Sequence, residues 1–249
     1  MRLAICCCVL VASAVSAQDP AGVGNADRAL LVSFGYGRYA SAGDLSERYG
    51  GGFGLDAGVD YLPTGSPWQF GVAVAYGFGN EVKEDVLREL RTDAGFIIGN
   101  QRQPAEVALR LRTLFIGPRV GYTLPLGGNP RAGLKFTSAA GYFFSRIRLQ
   151  PDPVQFVPQI DGARAAGYDR LAGGPALYQF VGYQQLALNR RLNFYIGGEA
   201  TAAFARELRS IDVSAGGPPS DGLRHDLIFG LRAGLILPLY FGTGESIFY

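Results

Sequence analysis

Between positions 53 and 61 the chain reads FGLDAGVDY. Extended backbone turns Phe53, Leu55, Ala57, Val59 and Tyr61 to one side and Gly54, Asp56, Gly58 and Asp60 to the other. Strict period two is the mark of a strand with two unlike faces. The rule recurs at 68–79, where Trp68, Phe70, Val72, Val74, Tyr76 and Phe78 alternate with glycine, alanine and a single Gln69. Eight segments follow it, near 29–40, 52–62, 68–79, 109–124, 134–149, 176–188, 192–206 and 226–240. They exceed the common strand length of about 5–6 residues. They match a tilted membrane crossing, which takes roughly 9–11.

The connections alternate in length. Segments 41–51, 80–108, 150–175 and 207–225 are long, while 63–67, 125–133 and 189–191 are short. That asymmetry predicts an all-β, eight-stranded, antiparallel up-and-down transmembrane barrel with long extracellular loops and short periplasmic turns. A soluble barrel also alternates, but its outer face should carry many charges. Here the third and sixth segments contain none. Aromatic residues near the turn ends, Tyr61, Trp68, Tyr122, Phe194 and Tyr240, and near the loop ends, Tyr39, Phe78, Phe144 and Phe204, predict two interfacial girdles.

If the bulky face meets lipid, the small face lines the lumen. Asp56, Asp60 and Glu199 then share the interior with Arg119, Lys135 and Arg232. An eight-stranded barrel is just wide enough to be filled by side chains, and buried charges require partners. The six residues are therefore read as an ion-pair network in a closed lumen, with Glu199 and Arg232 in reach of each other across neighbouring strands. Glycine supplies room for the long basic side chains.

Composition sharpens this picture at the ends. The opening MRLAICCCVLVASAVSAQDP has one basic residue, an apolar run and small residues before Gln18, the anatomy of a secretory signal peptide over 1–17. All three cysteines lie inside it, so no thiolate metal site or disulfide is expected beyond it. The expected organisation continues with a periplasmic lead over 18–27, the barrel over 28–241 and a tail over 242–249. Of 23 lysines and arginines, Arg2 falls in the leader, against 21 acids. Such balance gives no electrostatic case for nucleic-acid binding. No cofactor, metal site or catalytic residue is expected.

The last strand carries Arg232, Gly234, Leu237 and Leu239, followed by Tyr240 and Phe241. This resembles the insertion signal of outer-membrane barrels, which implies a barrel-assembly machinery as a transient partner. The chain as a whole resembles small eight-stranded outer-membrane barrels of the OmpA-transmembrane and OmpX type. The segments Val82–Asp85 and Gly167–Leu171, with Asn193–Tyr195, resemble barrels of Bacteroidota. The resemblance implies the outer membrane of a Gram-negative bacterium and contact with its lipid.

Three functions are open from the sequence. The first is a scaffold or accessory role in an outer-membrane complex, or in envelope integrity, with a protein partner at loops 80–108 and 150–175. The second is a narrow route for small hydrophobic molecules, against which the lumen charges speak. The third is an outer-leaflet lipid-modifying enzyme, whose only histidine would be His225. Asp226 is its neighbour and should point to the opposite face, so no enzyme is expected. Lys83–Thr92 reads as about two turns of helix, with Val86, Leu87 and Leu90 on one side, packed on the barrel mouth or docking a partner.

Overall fold

The computed structural model describes residues 25–152, 154–188, 191–211, 213, 217 and 222–241. The signal-peptide segment and the tail 242–249 lie outside the described residues. Eight long strands form one closed ring: β1 (Ala29–Gly43), β2 (Gly52–Leu62), β3 (Trp68–Gly79), β6 (Val107–Pro125), β7 (Ala132–Pro151), β8 (Ala172–Leu186), β9 (Asn193–Glu207) and β10 (Arg224–Tyr240). Each pairs antiparallel with its sequence neighbour, and β10 closes the ring on β1 with Ala29 opposite Tyr240 and Gly43 opposite Asp226. Closure leaves no unpaired edge.

Two elements in the loops go beyond the sequence reading. A two-stranded hairpin, β4 (Ile97–Ile98) with β5 (Pro104–Ala105), sits in the connection from β3 to β6. A single helical turn, α1 (Asp44–Arg48), follows β1. Gly43 starts it with φ of 59°, a conformation in which a Cβ would meet the His225 carbonyl. The Asp44 carboxylate accepts the His225 backbone N–H at 2.6 Å, which pins the turn to β10.

The helix expected over 83–92 is corrected. Only Arg88–Leu90 coils, as one 3₁₀ turn. The reason is local: the Asp85 carboxylate accepts the Leu87 N–H at 3.3 Å and two bonds from Arg91, and such side-chain bonding competes with a helix. Val86 and Leu87 nonetheless pack inward, fully buried.

Inside the ring, side chains stack in layers. At the turn end Ala29, Leu31, Leu62, Leu186 and Ile236 pack with Phe180 and Tyr195. Charges occupy the middle. Above them lie Ala73, Phe115, Ala139, Phe143, Ala176 and Ala203. The loops then fold over the mouth around a core of their own, containing Tyr39, Leu45, Tyr49, Val86, Leu87, Ile97, Leu111, Ile147, Val157, Ile160 and Tyr168.

Candidate functional site: lumen and loop cap

The lumen network divides in two. In the upper part, Arg232 on β10 places Nη2 2.6 Å from Glu199 Oε1 and Nη1 2.8 Å from Asp56 Oδ1. Asp56 lies on β2, beyond β1, so the guanidinium must pass over β1. It can do so because β1 presents Gly35 and Gly37 there. A Cβ on Gly35 would collide with Asp56 and the Tyr195 hydroxyl, and one on Gly37 with the backbone of β10. Tyr195 donates to both Asp56 oxygens at 2.9 and 2.8 Å, and Tyr178 donates to Glu199 Oε2 at 3.1 Å.

In the lower part, Arg119 grips Asp60 with two bonds of 2.6 Å and donates to Ser33 Oγ at 3.0 Å. Here the glycine is Gly58, whose Cβ would strike the Arg119 guanidinium. Lys135 departs from its expected role in the ion pairs. Its Nζ donates to Gln184 Oε1 at 2.7 Å, with Thr123 and Gln69 continuing the chain of polar contacts. Both oxygens of Asp60 are already occupied by Arg119, and an amide oxygen on the adjoining strand satisfies the ammonium instead.

Little space is left. The cavity beside Arg232, Glu199 and Tyr178 measures about 30 Å³, and the one between Asp56, Arg119, Lys135 and Tyr195 about 20 Å³. Each has room for about one water. The turn end is sealed as well. Arg131 donates to the carbonyls of Ala26 and Pro63 at 2.7 and 3.1 Å, and Asn25 to Asn129 and Leu186 at 3.0 and 2.7 Å. The end of the expected periplasmic lead thus lies across the barrel mouth.

The cap is held by ion pairs between loops. Arg48 reaches Glu207 at 2.5 Å and Glu84 at 3.6 Å, while Arg170 reaches Glu84 at 2.6 Å. Arg224 joins Glu207 at 3.3 Å to Asp226 at 2.9 Å, and Arg209 pairs with Asp169. Burial raises the Tyr49 phenol above its ordinary pKa beneath this cluster. At the cap surface, the Arg91 hydrogen bonds hold the Asp85 carboxyl below its usual value. Among the apolar residues of these loops, Ile97 and Val157 fold inward, whereas Phe96, Ile98, Val154 and Phe156 stay exposed. His225 faces outward with its ring edge on Phe204 at 5.4 Å, away from the buried Asp226.

The exterior carries a broad apolar band around the barrel wall. Leu231 is 73 % exposed, Leu235 65 %, Phe34 61 % and Leu177 59 %. Of the insertion-signal residues, Leu237 and Leu239 belong to this outer face, and Arg232 and Gly234 to the inner one. Tyr61 and Trp68 are exposed at the turn end, where Trp68 meets Tyr122 edge-on at 4.9 Å and Phe194 packs near Tyr183 at 6.1 Å. Two expected girdle residues are corrected. Tyr240 lies opposite the inward Ala29 and packs on the turn-end core, and Tyr39 is buried in the cap core, because each falls on the inward phase of its strand.

Water would not tolerate so continuous an apolar surface, whereas lipid does, and a closed ring satisfies every ladder hydrogen bond internally. These features define a membrane-spanning β-barrel, and one with eight strands and this loop asymmetry belongs in the outer membrane of a Gram-negative bacterium. Among solved structures the chain is similar to Ail, the attachment invasion locus protein of Yersinia pestis, at 12 % identity and a TM-score of 0.39, over 84 % of this chain and 99 % of that one. It is also similar to OprG of Pseudomonas aeruginosa, at 12 % identity and 0.39, over 85 % and 96 %. The N-terminal barrel domain of OprF from the same organism gives 12 % and 0.33, over 83 % and 96 %. At such values the likeness is one of barrel outline. No protein family and no curated protein matches the sequence, so the resemblance to Bacteroidota barrels has no support there.

Proposed function

We propose that this protein is a non-conducting outer-membrane barrel that displays its folded loop cap as a binding platform, as a scaffold or accessory component of an outer-membrane assembly. The observation that carries this reading is the filled lumen: charges, phenols and apolar layers occupy its length, and the two cavities beside the charged residues hold about one water each. Function then resides on the surface. The cap has a core of its own, and it still exposes Phe96, Ile98, Val154 and Phe156. Their segments are tied together by the Asn100 N–H to Phe156 carbonyl bond of 2.9 Å. Exposed apolar side chains on a structured surface favour a protein partner.

A transport route finds no support in these cavities. An enzymatic role is not part of the proposal, since His225 and Asp226 face opposite sides of β10. The test is a tagged pull-down from native outer membranes in mild detergent, with heated and unheated gel samples in parallel. A stoichiometric partner that is lost in the Phe96→Ser, Phe156→Ser double variant is expected. A heat-modifiable barrel that comes down alone would remove the scaffold reading in favour of envelope integrity.

A further inference from the structure

The outward rows of the β6–β7 hairpin change character abruptly. From the turn upward, the opposed outward pairs are Leu124 with Leu134, Tyr122 with Phe136, Val120 with Ser138, Ile116 with Tyr142 and Leu114 with Phe144. The next two rows are Arg112 opposite Arg146 and Arg110 opposite Arg148. Residues 132 to 144 of a tilted strand climb roughly 30 Å, about the thickness of the hydrocarbon layer. The arginines therefore stand at the height of the outer-leaflet headgroups.

Like charges directly opposite on neighbouring strands repel. Elsewhere on the loop side, Arg48, Arg91, Arg170, Arg209 and Arg224 each hold a carboxylate. Among the described residues, no carboxylate pairs with any member of this ladder. Arg110 donates only to neutral oxygens, Gln150 Oε1 at 2.9 Å and Asn80 Oδ1 at 2.6 Å, and Arg112 to its neighbour's carbonyl at 2.7 Å. Arg146 and Arg148 are exposed.

We propose that the Arg110–Arg148 and Arg112–Arg146 rows form a binding site for the phosphate monoesters of an outer-leaflet glycolipid. Guanidinium groups bind phosphate through paired, charge-assisted hydrogen bonds. Two stacked rows offer four such groups, enough for more than one phosphate. The lipid source, rather than a soluble anion, follows from the position of the ladder. It begins one row above Phe144 and Leu114, so a bound lipid lays its acyl chains on the apolar rows beneath. The site rests on the membrane-spanning reading alone and is independent of any protein partner at the cap.

The test uses the folded full-length chain in native mass spectrometry, titrated with bis-phosphorylated lipid A, with the same lipid A after phosphate removal, and with heparin as a soluble polyanion. Wild type should retain phosphorylated lipid A, and R146Q/R148Q should weaken that retention about tenfold or more. Neither side chain holds a partner among the described residues, so the variant should remain heat-modifiable in phosphatidylcholine vesicles. R110Q/R112Q gives an independent second reading of the same site. Equal retention of the two lipid A forms, retention unchanged in both variants, or heparin displacing the lipid would each overturn the proposal. Failure of wild type itself to fold into vesicles would instead contradict the membrane reading.

Discussion

Arg232 is the pivot of the upper lumen, since it alone neutralises both Asp56 and Glu199. Truncation leaves two largely buried carboxylates without their cation. Breaking a buried pair in this way costs about 3–5 kcal/mol. The Arg232→Ala barrel is expected to lose its unheated gel mobility at a clearly lower temperature than wild type. An unchanged transition would contradict the network. Gly182 and Gly197 lie opposite each other, and a Cβ on either would enter the backbone of the neighbouring strand and the Phe180 ring. Gly182→Ala should therefore destabilise the barrel by about 1–3 kcal/mol, read from the same transition. At this level the sequence is informative where a charge falls on the glycine phase of a strand: five of the six lumen residues form ion pairs with one another. It is silent on Lys135, whose acceptor is an uncharged amide on the adjoining strand. Tyr178 and Tyr195 were also legible in principle, because counting by twos from Glu199 and across the β8–β9 register places both on its face.

Strands and loops differ in how their structure is encoded. A strand in this barrel is specified by its own alternation, so 52–62 and 68–79 appear in the fold with the ends the pattern marks. The cap is specified by contacts between distant segments: Arg48 with Glu207 is separated by 159 positions, and Arg170 with Glu84 by 86. No periodicity reports such pairs, which is why the loop core, α1 and the β4–β5 hairpin are structural findings. The same separation makes the cap a unit that can fail without the barrel. Leu87→Ala removes a fully buried side chain from the cap core, a change that typically costs about 2–5 kcal/mol. Limited proteolysis should then cut within 80–106 while the protected barrel fragment persists. Equal protection of wild type and variant would contradict a cap held by that core. The Asp85–Arg91 pair adds a pH-dependent contribution. The Asp85 carboxyl is lowered in the folded state, so its stabilisation is full above the ordinary aspartate value of about 3.9 and is lost as pH falls through the folded value. Both groups are largely exposed, which keeps the effect small. Titration of the Asp85 carboxyl signal should show a midpoint below that of a free aspartate, and one at or above it would contradict the pairing.

Across the molecule, one arrangement accounts for the outside and the inside together. Bulky residues face lipid on every strand, and the small phase leaves just enough room for charges, phenols and apolar layers to close the lumen. Residues 25–28 and Arg131 shut the turn end, and the loops shut the other. Ring closure was legible from strand number and loop parity, whereas the plug at the turn end was not, because Arg131, and Asn25 in one of its two bonds, act through backbone carbonyls that leave no sequence signal. The most direct measurement is the conductance of the purified, folded full-length barrel in a planar lipid bilayer. A flat baseline under voltage of either sign, with heat-modifiable protein confirmed in the same membrane, is what a sealed lumen predicts. Reproducible ion-conducting steps from wild-type protein would contradict it.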